Sequence, residues 1–329
     1  MIFVPDYYKR FKCIADKCTD SCCVGWEIDV DGASLEKYKS DNRPIAIELL
    51  SHIETDADIP YIRLACDGGC PFLDESGLCR VISSEGEDYI PDICKNHPRY
   101  YNEIGEDAEC SIGLACPEAA RIILSLSEKP KIECSPTKCE NTSENQKSAP
   151  TIADKFTREM YEMRDRLFSF VFDKSVGIVG ILSGLLDCQV GVSDYLFGGE
   201  MPRDVSSGTP ERLRAMLDAL PGAFSSIELL DESLRSRGDV NADYSLSLIE
   251  SRGDGLRPML YYFLHRYFLA GAEDGDLDDR LSLAVILTLI YLLISEGEGD
   301  VEGAVRFSKN VEYSTENIGI LLSIIAEIE

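Results

Sequence analysis

From residue 151 onward, apolar side chains recur at the helical interval. Phe156, Met160, Met163, Leu167, Phe170 and Val171 fall on one face of a helix. Leu213, Met216, Leu217 and Leu220 follow at i, i+3, i+4 and i+7. Thr209 stands before them as an N-cap and Pro210 occupies the first helical position, while Pro221-Gly222 predicts the end of that segment. Pro258 predicts the opening of MLYYFLHRYFLA, which is apolar on most sides, and Ser314 or Thr315 caps a last helix carrying Ile318, Leu321, Leu322 and Ile325. The run LSLAVILTLIYLLIS covers residues 281–295. A bilayer needs roughly twenty apolar residues, so this run predicts a buried core helix and no membrane span. SVGIVGILSGLL reads as an apolar helix whose glycines allow close packing. This half shows neither an internal repeat nor strand alternation.

The first half is patterned differently. Val24, Trp26, Ile28 and Val30 alternate with Gly25, Glu27 and Asp29, a short strand in which Trp26 is expected in the core. Ser34–Tyr38 begins a helix, Asp67-Gly68-Gly69 reads as a turn, and Cys116-Pro117-Glu118 is a helix entry ahead of AARIILSL. Between the halves, KPKIECSPTKCENTSENQKSAP (129–150) is polar and rich in Pro, Ser and Thr, which predicts a linker or long loop. The expected organisation is therefore 1–128, a linker over 129–150, and a helical domain over 151–329.

Composition bounds what such a chain does. With 329 residues and 44% hydrophobic content it can bury an ordinary core. A net charge of −27 repels phosphate backbones, which argues against nucleic-acid partners and leaves room for a lysine-bearing one. The opening MIFVPDYYKRFKC has no apolar stretch or small-residue cleavage site of a secretory signal, so a cytoplasmic location is expected.

Sulfur changes the picture most. Of thirteen cysteines, twelve precede residue 140. Cys13, Cys18, Cys22 and Cys23 form one run, Cys70 and Cys79 bracket CPFLDESGLC, Cys94 sits in DICKNHPR, and Cys116 opens CPEAAR. A reducing cytosol disfavours disulfides. Structural zinc takes four ligands, often as paired knuckles, and Cys18/Cys22 and Cys66/Cys70 have such spacing. Iron–sulfur clusters take four thiolates, often scattered. Vicinal Cys22 and Cys23 do not readily serve one small ion together. Spacing alone leaves zinc, iron–sulfur and buried free thiols open. His97, three residues after Cys94, is a further ligand candidate, whereas His52 and His265 carry no constellation. The C-x3-C-x2-C run of radical enzymes is absent: its third position falls on Gly25 after Cys18 and Cys22, and on Leu73 after Cys66 and Cys70. The fold class expected is mainly α, a Cys-rich metal-binding N-terminal region with few short strands followed by an all-helical C-terminal bundle.

The order FKCIADKCTDSCCVGWEIDVD, CPFLDESGLC, ICKNHPRYY and LACPEAARIIL, spanning about residues 5–125, resembles the flagellin lysine-N-methylase family. LRPMLYYFLHRYF and VRFSKNVEYS are similar to that family's later aromatic and SxxxE-type segments. The resemblance implies transfer of a methyl group from S-adenosylmethionine to lysines of flagellin. It also implies a metal centre, iron–sulfur (4Fe-4S) ahead of zinc, on Cys13, Cys18, Cys22, Cys23, Cys70, Cys79, Cys94 and Cys116, with the family's Pro-Arg pair at Pro98-Arg99. Cys66, Cys110, Cys134, Cys139 and Cys188 lie outside the pattern. The other reading is a non-catalytic zinc- or iron-binding protein, or a redox protein.

Lysine methylation is a polar displacement by a neutral amine. Neutralising a free lysine at pH 7 costs about 4.6 kcal/mol, so a site must desolvate the amine or offer a base. Tyr100, Tyr101, Glu103, Tyr261 and Tyr262 are candidates. No strand–GxGxG–helix fingerprint marks a methyl-donor pocket.

Overall fold

The computed structural model describes residues 2–26, 28–55, 58–104, 107–135, 155–188, 205–271 and 276–328. In chain order the strands are β1 (Ile2–Pro5), β2 (Ile28–Asp29), β3 (Ile53–Glu54), β4 (Tyr61–Ile62), β5 (Arg99–Ile104), β6 (Asp107–Ile112) and β7 (Ile132–Ser135). The first helices are α1 (Gly32–Ser40), α2 (Pro44–His52), α3 (Arg80–Glu85), α4 (Asp92–Asn96), α5 (Pro117–Leu124), α6 (Lys155–Val171) and α7 (Ile178–Asp187). They are followed by α8 (Pro210–Ser226), α9 (Ala242–Arg252), α10 (Arg257–Tyr267), α11 (Leu277–Ile294), α12 (Asp300–Phe307) and α13 (Thr315–Ile328). The architecture is mainly α with small sheets, as the pattern of apolar positions predicts.

The chain forms two compact units, and they do not coincide with a cut at residue 128. One unit comprises the described parts of 12–100 together with 116–118; the other comprises those of 1–11, 101–115 and 119–329. The difference comes from strand pairing. β1 lies between β6, parallel, and β7, antiparallel, in a sheet ordered β5-β6-β1-β7. This pairing ties the beginning of the chain and residues 101–115 to the helical unit. It also corrects the linker expectation at 132–135, where Phe3 pairs with Cys134 and Pro5 with Ile132. Cys139, in the same polar segment, lies outside the described residues.

In the helical unit, α11 is buried along nearly its whole length, from Leu281 to Ile294. No described helix is long and apolar enough to cross a membrane. Helix α8 does not stop at Pro221-Gly222 but continues to Ser226 with Pro221 inside it. The last turn is held from outside: Ala223 and Phe224 are fully buried, and the Arg235 guanidinium donates to the carbonyls of Phe224 and Ile227 at 2.8 and 2.9 Å. Carbonyls at a helix end need such partners, and these offset the donor lost at proline. Buried Arg257, at the start of α10, captures the carbonyls of Val171, which ends α6, and of Val176 beyond it, at 2.6 and 2.8 Å.

The Cys-rich unit has its own core of Ile28, Val30, Leu35, Tyr38, Leu49, Ile53, Ile62, Phe72, Val81 and Tyr89. Asp31 caps α1 by accepting the Ser34 amide at 2.8 Å. The alternating run over 24–30 yields the two-residue β2 and a bridge from Val24 to Gly69. Trp26 is half-buried, not core; its Nε1–H donates to the Cys22 carbonyl at 3.1 Å and its ring meets His97 edge-on.

Candidate functional site

All eight cysteines of the family pattern belong to the Cys-rich unit. Local structure brings part of the set together. The Cys70 amide donates to the Cys23 carbonyl at 2.8 Å, so the vicinal pair and the CPFLDESGLC segment run side by side. Asp67 accepts the Gly69 amide at 3.0 Å, the expected turn, and delivers the chain to Cys70. Leu73 then bridges back to Cys79, which stands at the head of α3. Cys94 lies in α4, and Cys70, Cys79 and Cys94 all pack against one core.

Charge shows the same grouping. Burial pushes the Cys94 thiol up to about 12, and Cys70, Cys79 and Cys22 are the neighbours that push it further in the same direction. The Cys70 thiol is raised by burial, against a backbone hydrogen bond at Phe72 that favours the thiolate. Cys18, raised by burial, neighbours Cys22 and Cys13 and donates to the Asp20 carbonyl at 2.8 Å. Cys22, Cys70, Cys79 and Cys94 thus form one neighbourhood, with Cys13 and Cys18 beside Cys22. Cys116 is buried at the entry to α5. Among the described residues, no three Cys, His, Asp or Glu side chains stand around a single point suited to an ion. The donor set fits a thiophilic ion in kind, and burial that disfavours isolated thiolates is relieved when a cation is shared among them.

Outside this set, Cys110 is buried in β6 and Cys134 is exposed in β7. Burial raises the Cys188 thiol to about 11. His97 precedes a cis peptide to Pro98.

The candidate bases are dispersed. Tyr101 and Glu103 are exposed on β5 and Tyr100 is half-buried, whereas Tyr261 and Tyr262 are fully buried in α10. The Gly-spaced helix holds no nucleotide loop. A Cβ at Gly184 would meet the Phe170 ring at 2.7 Å and the Ser206 carbonyl, so that glycine serves packing.

Among the described residues of the helical unit, two buried polar clusters stand out that the sequence reading touched only at Tyr262 and the SxxxE-type segment. Glu109 on β6, 1% exposed, receives both terminal nitrogens of Arg164, 2% exposed, one at 2.6 Å. His265 lies 3.9 Å from the same carboxylate, and burial lowers its pKa to about 4. The second cluster surrounds Glu312, whose carboxylate accepts from the Tyr262 and Tyr267 hydroxyls. Residues so far apart in sequence carry no spacing signal, and only the SxxxE-type likeness of VRFSKNVEYS touches Glu312.

A mainly helical protein with a separate thiol-rich unit is the class that fold and site define. Its relatives make the class particular. The chain is 33% identical over 141 residues to the "Lysine-N-methylase" of Salmonella typhimurium (strain LT2), a match covering 39% of this chain and 35% of that protein. It is 32% identical over 142 residues to the protein of the same name from Salmonella choleraesuis, with the same coverage. It is also 32% identical over 127 residues to the "Flagellar biosynthetic protein FliU" of Salmonella muenchen, covering 37% of this chain and 75% of that protein. The match spans about a third of the length of the two lysine-N-methylases. No family model matches the chain, and no solved structure matches it. The chain belongs to the lysine-N-methylase and FliU family.

Proposed function

We propose that this protein is a protein-lysine N-methyltransferase acting on flagellin, with S-adenosylmethionine as donor and a thiolate-held metal centre in the Cys-rich unit. Its relationship to proteins named lysine-N-methylase carries this reading; the FliU name supports a flagellar substrate. The donor would supply an electrophilic methyl group. The chain's own work is to hold the lysine ε-nitrogen neutral and in line, and to accept the proton released as the nitrogen–carbon bond forms and the sulfur–carbon bond breaks. Cys22, Cys70, Cys79 and Cys94 would hold the centre, iron–sulfur ahead of zinc. Such a centre would add folding energy to that unit, because ligand binding that exists only in the folded state stabilises that state.

The test is incubation of anaerobically purified protein with donor and flagellin, followed by mass measurement of the flagellin. Stepwise gain of methyl masses is expected. No gain, with the centre intact by metal analysis, would reject the assignment. Replacing Cys94 by Ser should lower metal content and the thermal midpoint together; normal stoichiometry in that variant would remove Cys94 from the ligand set. The thiol grouping without a nucleotide fingerprint favours, as second reading, a metal-binding protein without catalysis, which measurable donor affinity by calorimetry would exclude.

A further inference from the structure

Among the described residues of the helical unit, two carboxylates are buried, and they are satisfied very differently. Glu109 is closed by a two-point contact with Arg164, one arm at 2.6 Å. Glu312 is as deeply placed, its side chain 2% exposed, but its contacts are long. Tyr262 donates to its two oxygens at 3.2 Å each, Tyr267 at 3.0 Å, and the Arg266 Nε stands 3.4 Å from Oε1. A hydroxyl bound to a carboxylate ordinarily sits at about 2.5–2.7 Å. This carboxylate is therefore partnered, but by longer contacts than those of Glu109, all of them from α10.

The surroundings specify what would pair with it more closely. The two tyrosines lie on α10, and Glu312 ends a π-helical turn, Ser308–Glu312, a rare widening that occurs often at functional sites. The Arg266 guanidinium rests 6.0 and 5.6 Å from the ring centroids of Tyr262 and Tyr267, and its Nη1 donates to the Tyr262 hydroxyl at 2.9 Å. Its side chain is 24% exposed, so the cation comes to the buried carboxylate from the more accessible side. Carboxylate, two phenols and two ring faces together suit an alkylammonium. A compact ammonium on a flexible stem enters such a space more readily than a planar guanidinium.

We infer that Glu312, Tyr262 and Tyr267 form a cation-binding site for a substrate lysine side chain, and that Arg266 occupies it as an internal competitor until the lysine displaces it. The inference rests on the methylase reading for its partner, not for its chemistry.

The test measures binding by calorimetry, without donor, of flagellin with free lysines and of the same flagellin with its lysines acetylated. Wild-type protein should prefer the charged form about tenfold or more. Glu312→Gln should abolish that preference, and Tyr267→Phe should reduce it while retaining fold by circular dichroism. Arg266→Met should strengthen binding of the charged form, whereas a purely structural ion pair would give no gain. Equal binding of both flagellins by the wild type overturns the inference, as does unchanged preference in Glu312→Gln or no tightening in folded Arg266→Met. Lysine preference without methyl transfer would sink the methylase reading and leave the site standing. Transfer with unchanged KM in both Glu312→Gln and Arg266→Met would do the reverse.

Discussion

His265 is where burial and charge give a clear pH consequence. It is 1% exposed and faces Glu109, Arg164, Phe168 and Tyr261. Burial lowers its pKa to about 4 from the ordinary 6.5, against the pull of Glu109, with Arg164 adding to the decrease. Between those values the unfolded chain takes up a proton that the folded chain refuses. Stability therefore falls as pH drops from 6.5 toward 4, by on the order of 3 kcal/mol, and this contribution levels off below that range. Proton NMR of the imidazole should show a midpoint near 4; titration at an ordinary histidine value would refute the assignment. Glu109→Gln leaves the Arg164 charge buried beside a neutral partner. A loss of about 3–5 kcal/mol in denaturant unfolding is expected, and a loss under 1 kcal/mol would count against a functional ion pair in the core. Neither residue could be singled out from sequence: Glu109 and Arg164 look like ordinary surface charges until β6 and α6 meet. The cysteines were legible because their spacing is dense and their residue type rare. Their division into a central group and its neighbours required the fold.

At the level of single elements, periodic segments were read well and boundaries less so. The predicted start at Pro210 matches α8, α10 opens one residue before Pro258, and of the two cap candidates for α13 Ser314 precedes its first residue, Thr315. The Ser314 hydroxyl also accepts the Asn317 amide at 3.3 Å. Pro221 misled because its local penalty is outweighed by burial of Ala223 and Phe224 and by Arg235 from a later segment. Strand β7 was hidden in a polar stretch because pairing with β1, not side-chain alternation, makes it a strand. Close packing of α7 was legible from its glycines, and it is testable. Gly184→Ala forces a methyl into the Phe170 ring and the Ser206 carbonyl. The cost should be about 1–3 kcal/mol, read from the urea midpoint; an unchanged midpoint would mean the contact yields freely.

For the molecule as a whole, the proposed metal centre makes a directional prediction. Removing the metal under reducing conditions should raise amide hydrogen exchange across residues 22–94 while α11, buried along its length, keeps its protection. Equal loosening of both units would contradict a centre confined to the Cys-rich one. The shift between cysteine-rich and helically periodic sequence was legible, but the division of the chain into its two units departs from a cut at residue 128. That the first unit's chain returns to a sheet of the second was not legible, because parallel pairing across so long a connection leaves no local signature.

That return has a consequence during synthesis. β1 gains its neighbours only when residues 107–112 and 132–135 have left the ribosome. Throughout that interval Ile2–Pro5 is an unclaimed template for foreign strands. The intervening excursion is thus both the connection that closes the sheet and the clock that sets how long a nascent protein must be shielded.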